Sequence, residues 1–205
     1  MWVFVSVVQA EYVVNGDFSA GSTGWTTVQS GDGVVTYPNL LDVVGSYDGV
    51  TDYSFNGASQ VITVFDDGPI TLTFDLVRYT SDDYEWYDIP YVMIDGNVYV
   101  LNIDGTVDWL TSFEEDNMGV WYFVGGDAVQ DVNNDTAILT PITYAVDLGM
   151  GPATFTIEIG VFSADSWFGP GYAQFDNISV VPEPATVVLL GLGVAGIGLI
   201  RSRKN

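Results

Sequence analysis

The chain has 205 residues with 27 acidic and 4 basic side chains, a net charge of −23, yet it is 48% hydrophobic and 14% aromatic. That apolar content excludes a disordered chain, and the acidity excludes nucleic acid and anionic membrane surfaces as partners of the body. There is no Cys and no His, which removes disulfides, thiol chemistry and the commonest general base, and leaves oxygen ligands, hence Ca²⁺, as the natural way to hold a metal.

In chain order, Trp2 to Val8 is apolar, and Val8 and Ala10 occupy the −3 and −1 positions of a cleavage after Ala10. Residues 1–10 therefore read as the remnant of a signal peptide, with a first β-strand as the alternative. The basic n-region of such a segment is missing, which points to a start upstream of Met1.

Residues 11–181 form the body, and strand-like runs recur through it between turn signals. Ala58 to Phe65 is closed by Asp66-Asp67-Gly68-Pro69, and Ile70 to Tyr79 alternates so that Ile70, Leu72, Phe74 and Leu76 share a face. Tyr91 to Ile94, Asp95-Gly96-Asn97 and Val98 to Ile103 predict a tight hairpin. Val120 to Val124, Ile142 to Leu148, Ala153 to Val161 and Ala173 to Val181 follow. No amphipathic helix is apparent, and about eight or nine strands with Gly-rich turns predict an all-β chain, an antiparallel sandwich or jelly roll.

After the body, Ala185 to Ile200 carries no charge, and three of the four basic residues (Arg201, Arg203 and Lys204) lie in the last five positions. As a helix this run would be roughly 24 Å long, short of the roughly 30 Å hydrocarbon core but able to span it with bilayer thinning and snorkelling. The terminal cations would then stay on the cytoplasmic side, with the acidic body outside.

Val181-Pro182-Glu183-Pro184, the apolar span 185–200 and the basic cluster Arg201, Arg203, Lys204 together resemble the PEP-CTERM sorting signal, over residues 182–205 with Val181 at its edge. The resemblance implies a protein of a Gram-negative bacterium that is exported, handed to an exosortase as substrate and processed near Pro-Glu-Pro. Its membrane helix would be a transient anchor in the inner membrane, and the mature chain would reach the cell surface or extracellular matrix.

A second resemblance joins the ends of the body. The opening Asn15-Gly16-Asp17-Phe18…Gly24-Trp25 and the closing Phe175-Asp176-Asn177-Ile178-Ser179-Val180 are similar to the galactose-binding-like jelly roll of many carbohydrate-binding modules. The resemblance implies neighbouring first and last strands, with Phe18 and Trp25 in the core. It also implies a structural Ca²⁺ near the joined ends, with Asp176 at the family's closing Asp. The family's acidic position after the opening Phe is Ser19 here, and Asp17 stands nearby. Asp131-Val132-Asn133-Asn134-Asp135 has the alternation of a calcium loop, but Thr136 and Ile142 replace its Gly and Glu, so it reads as an Asx-rich turn.

Sugar binding needs aromatic faces beside hydrogen-bonding groups. Residues 81–88 supply Tyr84, Trp86 and Tyr87 among four acids; Trp109 follows; the Gly/Pro-rich run 166–172 supplies Trp167 and Tyr172. These make an extracellular polysaccharide the expected partner and non-catalytic carbohydrate binding the expected function. A structural or adhesive matrix protein without a specific ligand is the alternative. A glycoside-acting enzyme using paired carboxylates is a more distant one, because acid pairs arise by chance in a chain this acidic.

Overall fold

A computed structural model of the chain describes residues 12–46, 54–80, 88–102, 104–109, 112–115, 121–124, 137–138, 140–163 and 171–182. They carry twelve strands: β1 (Thr26–Val28), β2 (Val34–Thr36), β3 (Leu41–Val44), β4 (Ser54–Thr80), β5 (Asp88–Ile94), β6 (Asn97–Leu101), β7 (Val107–Trp109), β8 (Ser112–Glu115), β9 (Trp121–Val124), β10 (Ala137–Ile138), β11 (Ile142–Ser163) and β12 (Tyr172–Pro182). Every pairing is antiparallel, and the expected all-β class is what the described residues adopt.

Ten strands join in the order β2-β3-β12-β4-β11-β5-β6-β7, with β1 and β10 also paired to β4; β8 and β9 form a separate hairpin. The long sheet doubles over on itself because β4 and β11 are shared by two layers. The second half of β4 pairs with β12 and with Ile142 to Gly149 of β11. Its first half pairs with β1 and with Ala153 to Ser163, of which Ile157 to Ser163 in turn pairs with β5.

Alternation then aims one side of each layer inward. Leu72, Phe74, Leu76, Leu41, Val43, Tyr144, Phe175 and Val180 from the first layer join Ala58, Ile62, Val64, Ile157, Ile159, Val92 and Leu101 from the second in one buried core. Phe74 stacks on Tyr144 at 5.3 Å, and the Tyr144 hydroxyl donates to the Asn102 carbonyl (2.8 Å), tying the β6–β7 turn to the first layer. The Asp95-Gly96 turn is the expected tight hairpin, with φ of 49° and 84°.

Two expectations are corrected at the fold-over. Asp66-Asp67-Gly68-Pro69 does not separate two strands; β4 runs through it, and the two runs expected between Ile142 and Val161 are one strand, β11. The chain does not reverse there. Both strands bend together, with register shifts at Asp147/Gly149 and Gly151/Ala153 and positive φ at Gly68 (124°) and Gly149 (90°). Gly151 is required by close approach, since a Cβ there would lie 2.3 Å from the Asp66 carbonyl oxygen.

At the opposite end of the sandwich the chain passes between layers by connections instead. Val44 pairs with Tyr172 and Tyr172 with Thr80 in the first layer; Ser54 pairs with Ser163 and Ser163 with Asp88 in the second. In chain order, Val44 precedes Ser54, Thr80 precedes Asp88 and Ser163 precedes Tyr172, so successive strands end and begin in these two rows. Near these rows buried polar groups find partners. The Ser46 amide donates to Ser163 Oγ (3.0 Å) and the Ser46 hydroxyl to Asp32 (2.9 Å). The Ser30 amide donates to Asn56 Oδ1 (2.9 Å), and the Gly45 amide donates to the Gly171 carbonyl (2.8 Å).

Candidate functional site

The outward face of the second layer carries a small apolar cluster of its own: Ile89, Tyr91, Val100 and Phe162, with Phe55, Met93 and Val98 packed against it. Phe55 is half-buried and meets Tyr91 edge-on at 5.1 Å and Phe162 at 4.8 Å. Next along β4 and β11, Gly57 pairs with Gly160 and leaves a floor without side chains. Beside it the Tyr91 hydroxyl donates to the Glu158 carboxylate. Burial pushes both groups up, Glu158 above its ordinary carboxylate value and Tyr91 well above 10.0, where the adjacent carboxylate adds to the effect.

This face lies next to the interlayer connections. Phe55, Phe162 and Ile89 form the row immediately before Ser54, Ser163 and Asp88. Residues 81–87, with Tyr84, Trp86 and Tyr87, and residues 164–171, with Trp167, therefore leave and rejoin the sheets at the same two rows.

The two ends of the body also meet. The Ile178 amide donates to the Gly16 carbonyl (2.9 Å). The opening motif is a run of turns, not a strand, held by Asn15, which donates to the Gly21 carbonyl (2.7 Å) and accepts from the Ala20 amide (2.9 Å). Gln60 of β4 clamps it by accepting from the Val14 amide (2.9 Å) and donating to the Val14 and Gly24 carbonyls (3.0 Å each). Phe18 and Trp25 are in the core as expected, 5.2 Å apart. The first strand, β1, pairs with β4 instead of β12, so the ends are joined through turns and not through adjacent strands.

Asp17 and Asp176 are brought into one electrostatic neighbourhood, joined by Asp75, which sits opposite Asp176 in the β4–β12 register. Burial first, then the charges of Asp17 and Asp75, hold the Asp176 carboxyl above its ordinary value. Asp17 is exposed and held low by the Ser19 amide and hydroxyl, 3.1 and 2.9 Å from its Oδ1. Asp75 accepts from Thr143 (2.6 Å) and Asn177 (2.8 Å). A divalent cation suits this charge, but among the described residues no three acidic side chains converge as a ligand set.

Of the residues singled out for sugar binding, Tyr172 opens β12, with the Arg78 guanidinium 5.6 Å from its ring centre. Burial and a bond to Asp42 push its hydroxyl up to about 12. Trp109 ends β7. Tyr84, Trp86, Tyr87 and Trp167 lie outside the described residues, as do the signal-peptide segment 1–10, the turn 131–135 and the tail with Glu183, Pro184, Arg201, Arg203 and Lys204. Val181 and Pro182 are the last residues of β12, paired with Thr71 and Ile70. Sequence reading missed Phe55, Tyr91, Glu158 and Phe162. Their signal was an alternation apolar on both faces in IEIGVF and IPYVMI, the mark of a strand covered on both sides.

The body is similar to three solved structures. TmCBM61, solved in complex with beta-1,4-galactotriose, is 11% identical over 85% of this chain and 99% of that one, with a TM-score of 0.44. The N-terminal cellulose-binding domain of a Cellulomonas fimi beta-1,4-glucanase C is 15% identical over 85% and 98%, with a TM-score of 0.40. The K3 adhesin domain of Lys-gingipain from Porphyromonas gingivalis is 14% identical over 84% and 99%, with a TM-score of 0.41. No curated protein matches the chain. Residues 180–204 match the PEP-CTERM protein-sorting motif, so this all-β antiparallel chain carries a PEP-CTERM sorting signal that begins inside its last strand.

Proposed function

We propose that the chain is exported, held at the inner membrane by residues 185–200, processed by an exosortase and placed at the cell surface or in the extracellular matrix. There its β-sandwich binds polysaccharide without cleaving it. The sorting motif at 180–204 supports the route. One observation carries the binding: the aromatic-rich segments 81–87 and 164–171 share their anchor rows, Thr80 beside Tyr172 and Asp88 beside Ser163, next to the Phe55–Tyr91–Glu158 face. Sugars bind where rigid strands present aromatic rings and carboxylates on connecting loops. The joined ends, with Asp17, Asp176 and Asp75, are where a structural Ca²⁺ would neutralise clustered charge.

The test is polysaccharide binding by the full chain in zwitterionic detergent, with and without Ca²⁺, followed by tryptophan fluorescence, melting temperature and release of reducing ends. Saturable binding lost in Trp86→Ala and Trp167→Ala, without sugar release, is the expected result. A Ca²⁺-dependent rise in melting temperature lost in Asp176→Asn would place the cation at the joined ends. Failure to bind any polysaccharide in either condition would overturn the binding reading.

A further inference from the structure

Among the described residues, two large exposed apolar side chains lie at the fold-over of β4 and β11, the end of the sandwich where β12 stops. Phe65 is 78% and Met150 67% exposed. Both lie within a residue of the Asp66–Gly151 close approach, and Met150 pairs with Pro69. β12 ends at the same bend, since Pro182 pairs with Ile70. Only Glu183 and Pro184 then separate the sheet from the uncharged run that begins at Ala185.

The distances are restrictive. Three residues from Pro182 to Ala185 span at most roughly 10 Å even fully extended. A bilayer of 40–45 Å with a 30 Å hydrocarbon core has roughly 5–7 Å of interface on each side. A chain whose hydrocarbon-embedded segment starts at Ala185 therefore holds the bend in the headgroup layer or just above it. We propose that this bend is the membrane-facing end of the body, with Phe65 and Met150 entering the bilayer interface while the tail anchors the chain. The inference rests on the anchoring role proposed for residues 185–200.

Asp66 and Asp67 are exposed at the same bend, so the contact opposes anionic headgroups and suits a zwitterionic surface. Two apolar side chains bind a bilayer weakly when free; tethering makes the contact intramolecular and raises its effective concentration. The same geometry orients the molecule. Val34 pairs with Val44 and Val44 with Tyr172, at the other end of β12 from Pro182 and roughly 30 Å away. The bend faces the membrane, and the end that carries Thr80, Asp88, Ser163 and Tyr172 faces away from it.

The chain has no Cys, so single-cysteine probes report unambiguously. Phe65→Cys, Met150→Cys, Val34→Cys and, in the tail, Val194→Cys variants of the full chain, each carrying a polarity-sensitive fluorophore, would be reconstituted into phosphatidylcholine vesicles with and without spin-labelled lipid. The expected result is quenching and a blue shift at 194, 65 and 150 and neither at 34. Quenching at 194 with none at 65 and 150 shows a bend that stands clear of the bilayer and overturns the proposal while leaving the anchor intact. No quenching at 194 overturns the anchor and the proposal with it. Quenching at 34 as strongly as at 65 shows a body without this orientation and overturns it. Blue-shifted emission at 65 and 150 before lipid is added, unchanged by vesicles, makes the chain's own tail the occupant and overturns it as well.

Discussion

Gly57 and Gly160 face each other across the β4–β11 pair, and a Cβ on Gly160 would lie 2.0 Å from the Asn56 carbonyl oxygen and 2.8 Å from the Gly57 Cα. Nothing flexible stands in the way, because the obstructing atoms are all backbone. Gly160→Ala must therefore separate the two central strands beside Phe55 and Phe162. The expected cost is at or above the upper end of the ~1–3 kcal/mol typical of overpacking, read as a lower urea midpoint with unchanged slope. Gly96→Ala is the contrasting variant: a Cβ there meets nothing within 4 Å, and only its φ of 84° opposes the change.

The Tyr91–Glu158 hydrogen bond gives a second prediction. Tyr91→Phe removes the donor from a half-buried carboxylate, which costs about 1–3 kcal/mol. The double variant Tyr91→Phe with Glu158→Leu, which replaces both partners with apolar groups, recovers most of that loss. Glu158 has a folded-state pKa above its ordinary 4.5, so its neutral form is favoured in the fold. The cost of Tyr91→Phe is present above the folded pKa and shrinks as the pH falls through it. Urea titrations at neutral pH and near pH 4 check both statements.

Asp176 and Asp17 titrate in opposite senses. The Asp176 pKa is raised above 3.8 in the fold, so its charge costs stability at neutral pH. That cost is relieved as the pH falls through the folded pKa and is gone below 3.8. The Asp17 pKa is lowered, so its contribution is present above 3.8 and lost as the pH falls through its folded value. Asp176→Asn, measured without divalent cations, is expected to raise the melting temperature at pH 7 and to lose that advantage on acidification towards pH 3.8. Equal advantage at both pH values would contradict the electrostatic origin.

Gln60→Leu leaves the Val14 amide and the Val14 and Gly24 carbonyls without the side chain that clamps them. The expected loss is roughly 1–3 kcal/mol. Limited proteolysis is expected to reach the segment between Tyr12 and Trp25 before the strands open, since Gln60 supplies three of its hydrogen bonds to β4 and the Asn15 bonds hold only its internal turns.

Local chemistry alone determined much of this protein. Period-two alternation marked β12 and the buried face of β4, Asp95-Gly96 marked the hairpin, and the tail was legible because hydrophobic length and terminal charge need no partner to be read. Phe18 and Trp25 were placed in the core by the resemblance of the joined ends. Only the tertiary structure decided that β4 and β11 continue through Asp66–Pro69 and Gly149–Pro152. Gly and Pro signal a change of backbone direction but not whether the next residues keep the same partner, and here β11 stays paired with β4 through the bend, with two register shifts. Tertiary structure likewise set Asp75 opposite Asp176, 101 positions apart in the chain, and gave Glu158 the Tyr91 hydroxyl. Pairing register is a long-range property, set by which strands pack to close one core, and no side chain carries the identity of its partner in its own neighbourhood.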